Sequence, residues 1–115
     1  MPFGLYMDQH VERAITLGLR LRDIDVITAF EDLSAELSDS DLLDRASLLG
    51  RPLFTRDDDL LAEASDRQLS NRPFSGVIYS HLLRVSVGQC ISDLEYIAKV
   101  GLPEDLAGQV IFLPL

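Results

Sequence analysis

The sequence predicts an α/β domain: a central, mostly parallel sheet of about five strands, covered by helices on both faces. Three observations carry that expectation. Short apolar runs of strand length alternate with segments of helical periodicity from one end of the chain to the other. Between them stand helix-start and helix-stop signals rather than linkers or repeats. At 115 residues, 47% of them apolar, the chain is long enough to bury a genuine core and too short for two. A single domain over 1–115 is therefore expected.

Gly4, Leu5, Tyr6 and Met7 form a first apolar run that stops at Asp8. From Val11 the period becomes helical, with Val11, Ala14, Ile15, Gly18 and Leu21 on one face and Arg13 and Arg20 on the wet side. Residues 25–29, Asp-Val-Ile-Thr-Ala, read as a second strand, followed by a polar connection over 30–37. Ser38, Asp39, Ser40 and Asp41 have the pattern of a capping box, opening a helix that buries Leu42, Leu43, Ala46 and Leu49 and ends at Gly50. Leu53, Phe54 and Thr55 make the third strand, which runs into Arg56, Asp57, Asp58 and Asp59. A brief helix carries Leu60, Leu61 and Ala64, and the polar stretch 65–75 is expected to be a mobile loop. Gly76 to Tyr79 is the fourth strand. Ser86 to Gln89 opens a helix with the cleanest apolar stripe in the chain: Val87, Cys90, Ile91, Leu94, Ile97 and Ala98. Gly101 and Pro103 stop that helix, and Val110 to Leu113 closes the sheet.

Composition narrows the function classes. The apolar runs are too short to span a membrane, and the start of the chain has no basic segment followed by an apolar one, so no secretory signal is expected. The lone Cys90 cannot form an internal disulfide, and its place on an apolar stripe reads as a buried thiol rather than a nucleophile. These features fit a cytoplasmic protein. Ten basic against nineteen acidic residues give a net charge of −9, which repels nucleic acid unless cations or a local basic patch intervene.

The acidic residues are not scattered. Right-handed crossovers in a parallel sheet place the strand C-termini along one edge, where such sheets put their sites. Asp8 ends the first strand, Asp57, Asp58 and Asp59 follow the third, and Asp39 and Asp41 open a helix facing the same edge. Two carboxylates about 4 Å apart repel by about 4 kcal/mol at an effective dielectric near 20, so such a cluster holds on to protons or binds a cation. Oxygen-only donors select hard ions such as Mg²⁺ or Mn²⁺. Asp39 and Asp41 also suit a helix dipole, and one of the three aspartates at 57–59 suits an N-cap. Asp8 has no such local role. Asp23, Asp25, Asp44 and Asp66 read as solvated charges.

These pieces together resemble the PIN-like proteins of the DUF5615 and Mut7-C type, related to VapC-like toxins of bacterial toxin–antitoxin modules. The matching segments are Leu5-Tyr6-Met7-Asp8, Asp25-Val26, Ser38-Asp39-Ser40-Asp41-Leu42-Leu43 and Gly76-Val77-Ile78. The most specific is residues 50–60, Gly-Arg-Pro-Leu-Phe-Thr-Arg-Asp-Asp-Asp-Leu, close to a G-R-x-L-x-T-x-D-x-D-[FL] pattern. The resemblance implies a PIN-like three-layer α/β/α fold and a Mg²⁺- or Mn²⁺-dependent endoribonuclease, hydrolysing phosphodiesters with metal-activated water. It implies Asp8, Asp39, Asp57 and Asp59 as catalytic metal ligands, with Thr55 and Asp58 supporting them. Arg56 and Arg84, with Arg67, Arg72 and His81, lie on connections that would flank the site and steer the RNA substrate. The chain departs from the pattern after Asp8, where many relatives read Asp-Glu-Asn and this sequence has Gln9 and His10; His10 is then a substitute base or ligand, or a surface residue.

Two other readings compete. A phosphoacceptor receiver domain also places Asp at the ends of strands one and three, but it needs a lysine after the last strand, and the only lysine, Lys99, falls within the final long helix. A catalytically weak or inactive PIN-like interaction module would use the acidic face to dock a basic, antitoxin-like protein, with a homodimer formed through the C-terminal helix or closing strand. No dinucleotide fingerprint or P-loop follows any strand.

Overall fold

The computed structural model describes residues 3–115; Met1 and Pro2, part of the stretch read as lacking a secretory signal, lie outside the described residues. The strands are β1 (Leu5–Met7), β2 (Val26–Thr28), β3 (Leu53–Thr55), β4 (Val77–Ser80) and β5 (Val110–Leu113). Between them run α1 (Arg13–Arg20), α2 (Asp39–Leu48), α3 (Asp58–Leu69), α4 (Val87–Val100) and the short α5 (Pro103–Leu106). The sheet is parallel throughout, in the order β2-β1-β3-β4-β5. It is the middle layer of an α/β/α sandwich, as the alternation of segments predicts.

Strand alternation divides the core in two. Leu5, Met7, Phe54 and Ile78 point to one face and join Ile15 and Leu19 of α1 with Cys90, Leu94, Ile97 and Ala98 of α4. Tyr6, Leu53 and Val77 point to the other and join Leu42, Leu43 and Ala46 of α2 with Leu60 and Ala64 of α3. Most of these side chains are wholly buried, and each apolar side chain removed from water stabilises the fold by about 1.5–3 kcal/mol. Gly18 lets α1 and α4 approach closely, since a Cβ there would stand 2.5 Å from Ile91 Cδ1.

The structure corrects four expectations. Helix α1 starts at Arg13 because the Val11 N–H is already bound to the Asp8 carbonyl at 3.1 Å. Its buried face is therefore Ile15, Thr16, Gly18 and Leu19, and Leu21 is 85% exposed. The expected mobile loop is in its first half the continuation of α3, which runs to Leu69. Pro103 does not merely end α4; it opens α5, where its missing N–H costs nothing. Finally, α1 and α4 share a face although the chain steps in opposite directions across the sheet at β1→β2 and β4→β5. The last crossover thus has the opposite hand to the first three, against the usual uniform rule. With α2 and α3 both on the other face, only α4 can cover Phe54 and Ile78. It reaches back to the start of the chain, where the Phe3 N–H donates to the Ala98 carbonyl at 3.3 Å.

Candidate functional site

The chain leaves β1 toward one face and β3 toward the other, so the crevice between their C-terminal ends is the topological switch point of the sheet. Asp8 and Thr55 meet there. Asp8 follows Met7 and so points with Tyr6 to the α2/α3 side; it is 5% exposed, and Thr55 is wholly buried. The Thr55 hydroxyl donates to Asp8 Oδ2 at 3.0 Å and accepts from the Asp57 N–H, also at 3.0 Å. One side chain therefore fixes the rotamer of Asp8 and the entry to α3. Thr55, which the family resemblance casts as a supporting residue, thus touches both Asp8 and the start of α3.

The helices on that side bring the other carboxylates. Ser38 caps α2, accepting from the Asp41 N–H at 3.2 Å, and so sets Asp39 in the first turn, half-buried. Asp57 caps α3, its Oδ1 accepting from the Asp59 N–H at 3.0 Å. Asp39 reports the crowding. Burial pushes its carboxyl upward, and the negative charges of Asp57, Asp59, Asp8 and Glu63 push it further the same way. Glu63, one turn into α3, adds to the field at this edge although it is paired with Arg67 at 3.0 Å; it was not singled out from the sequence, and its spacing of i+4 from Asp59 was the available signal.

Asp58 turns aside. It accepts a short hydrogen bond from the Tyr79 hydroxyl of β4, and that bond is the main reason the Tyr79 phenol is pushed up to about 12. A cavity of about 550 Å³ opens here, between the start of α3 and the β4–α4 connection, lined among others by His10, Asp57, Tyr79 and His81. His10 is exposed, with a ring nitrogen 3.3 Å from Gln9 Nε2.

The basic residues divide. Arg56, expected to steer RNA, is a tie inside the fold: its side chain is 5% exposed, Nη1 donates to Glu12 Oε2 at 2.6 Å, and Nη2 donates to the carbonyls of His81, Leu82 and Val85. It joins the connections after β1, β3 and β4. Arg67 is likewise withdrawn, 2% exposed by its side chain and paired with Asp44 at 2.7 Å and Glu63 at 3.0 Å. Asp44 and Asp25 are solvated, as read from the sequence, and each also makes an ion pair, Asp25 with Arg51 at 2.9 Å. Arg84 and Arg72 are exposed and make no ion pair among the described residues. Lys99 pairs with Glu95 at 2.8 Å on α4, at the end away from this edge.

The donor set suits a hard divalent cation in its chemistry, carboxylate oxygens without thiolate or imidazole. It is drawn from three separate elements. The side chains stand further apart than a closed coordination shell: among the described residues, no three His, Cys, Asp or Glu side chains converge closely enough to hold a metal. Asp8 Oδ2 and Asp57 Oδ1 are meanwhile occupied by hydrogen bonds from Thr55 and the Asp59 N–H. Compared with protein-family models, with curated proteins and with solved structures, the chain matches none of them. No helix among the described residues is long and apolar enough to cross a membrane.

Proposed function

We infer that the protein is a Mg²⁺- or Mn²⁺-dependent endoribonuclease of PIN-like type, acting at the edge where Asp8, Asp39, Asp57 and Asp59 approach one another. The observation that carries this reading is Asp8: a carboxylate buried at the switch point of the sheet, held by Thr55 and crowded by acids from two helices. Charges crowded in this way raise the Asp39 carboxyl, and a divalent cation would relieve the repulsion. Asp8, Asp39, Asp57 and Asp59 would hold the ion. Once bound, the ion supplies Lewis-acid stabilisation of phosphoryl oxygens and an acidified water. Thr55 would keep Asp8 in one rotamer through the hydrogen bond to Oδ2. Asp57 fixes the start of α3 and with it the place of Asp59. The metal also reconciles a −9 chain with a polyanionic substrate.

The test is cleavage of a mixed-sequence RNA in Mn²⁺ and in excess chelator. The wild-type protein should cleave only in Mn²⁺. Asp8→Asn and the double change Asp57→Asn, Asp59→Asn should lose at least about a hundredfold, beyond the roughly 10–100-fold of a second-sphere change. Cleavage that survives either variant would remove the acidic edge from the chemistry.

A second reading, an inactive module that docks an antitoxin-like protein or a second copy, is favoured by one observation. Tyr96 and Val100, one turn apart on α4, are 59% and 61% exposed, and Phe112 on the edge strand β5 is 59% exposed. Light scattering at rising concentration tests the homodimer: a mass that stays monomeric would contradict it.

A further inference from the structure

On the other side of Asp8 lies a second cavity, of about 380 Å³, between the C-terminal ends of β1 and β2 and the first two turns of α1. Asp8 forms part of its wall, so the cavity adjoins the acidic edge directly. Its size falls within the range of small-ligand pockets.

Three of its wall residues have no evident structural purpose. Phe30, just past β2, lines the cavity yet leaves 78% of its surface in water. Leu17, on the facing side of α1, is 46% exposed. Arg13 occupies the first position of α1, where a cation opposes the helix dipole. It is exposed and makes no ion pair among the described residues. Besides Asp8, the other charges in the wall, Arg20 and Glu31, neutralise each other. Glu31 accepts from Arg20 Nη2 at 2.6 Å and from the Thr28 N–H at 3.0 Å, which holds the wall in place. The cavity therefore offers an aromatic face, an apolar floor and one uncommitted cation, beside the carboxylate at which a phosphate would be attacked.

We propose that this cavity is a nucleobase subsite, taking a base of single-stranded RNA stacked on Phe30, with Arg13 against the adjoining phosphate. The inference rests on the nuclease reading above and names its substrate class: a duplex, whose bases are already stacked, does not present one to Phe30. Stacking on an aromatic ring is tolerant of sequence, so the subsite selects strandedness rather than base identity.

The chain contains no tryptophan, so Phe30→Trp places a single fluorescent reporter in the subsite. A short mixed-sequence single-stranded RNA, in Ca²⁺ to hold phosphate without rapid turnover, should quench its emission. Leu69→Trp, at the far end of α3 and 85% exposed in the wild-type protein, should be unaffected. Phe30→Ala should weaken affinity for the same RNA by about five- to a hundredfold, and Arg13→Ala should flatten its salt dependence. Both are surface changes that leave folding intact. Equal affinity of the wild type for this RNA and for one carrying abasic sites would overturn the proposal. So would duplex RNA quenching as strongly as the single strand. Cleavage without quenching would sink the subsite and spare the nuclease reading. Quenching without cleavage in Mn²⁺ would sink the nuclease reading and leave an RNA-binding cavity.

Discussion

Helices α2 and α3 carry acidic residues in two places, and the two are treated in opposite ways. Further along both helices, Asp44 and Glu63 are drawn onto Arg67, whose buried guanidinium also donates to the Ser40 carbonyl at 2.8 Å. Beside them, in the connection before α2, Asp32 is held in a two-pronged pair with Arg45 at 2.8 and 2.9 Å and accepts from the Tyr6 hydroxyl at 2.8 Å. At the N-terminal ends of the same helices, Asp39, Asp57 and Asp59 face Asp8 with no basic side chain paired to any of them among the described residues. The acids further along are matched by arginines; those at the N-terminal edge are not, although Asp57 also caps α3 and Asp8 is held by Thr55.

The largest expected effect is at the compensated end. Arg67→Ala strands Glu63 and Asp44 and unties α3 from α2; urea denaturation should show a loss of about 3 kcal/mol or more. Thr55→Val comes next. It removes the donor to a buried carboxylate and the acceptor for the Asp57 N–H, for about 2 kcal/mol of stability. If the edge binds metal, the same change should weaken Mn²⁺ binding by roughly tenfold. Tyr6→Phe deletes one hydrogen bond to Asp32 and should cost about 1 kcal/mol. The Tyr6 phenol, pushed up to about 12 chiefly by burial, should stay un-ionised in a spectrophotometric titration through pH 11.

The smallest effect sharpens the contrast most, because the two regions should respond to acid with opposite signs. The guanidinium of Arg45 holds the Asp32 carboxyl well below the usual carboxylate range, so its stabilisation is present above about pH 4 and is lost as pH falls toward the folded value. The Asp39 carboxyl is raised, so its contribution is a destabilisation, fully present above the folded value and relieved as pH falls through it. Asp39→Asn should therefore raise metal-free stability by about a few tenths of a kcal/mol at neutral pH, after solvent screening. That gain should vanish near pH 3 and be absent in saturating Mn²⁺. Thermal melts across pH check all three statements.

The sequence made some of this legible and hid the rest for physical reasons. Strand positions were readable because apolar runs of three or four residues flanked by breakers have few alternatives, and the two serine-capped helices were readable from Ser38 and Ser86. Asp8 stood out because no local role accounts for an acid directly after a buried strand. Arg56 and Arg67 were not readable, since an arginine in a polar stretch looks the same whether its stem is buried or in water. Of their acidic partners, Glu12 and Asp44 lie far away in the chain, and only Glu63, four residues before Arg67, is local. The Asp32–Arg45–Tyr6 network spans three elements and leaves no local trace. Phe30 was passed over inside a connection read as polar; a single aromatic residue there was the signal.

The most direct test of the central claim is a calorimetric titration of Mn²⁺ into the wild-type protein, Asp8→Asn and the Asp57→Asn, Asp59→Asn double variant. Saturable binding to the wild type at millimolar concentration or below is expected, with loss of that heat in both variants. Absence of binding to the wild type, or equal binding to all three, would contradict it. The crowded carboxylates would then be helix caps and solubilising charge, and the docking reading would stand in place of the nuclease.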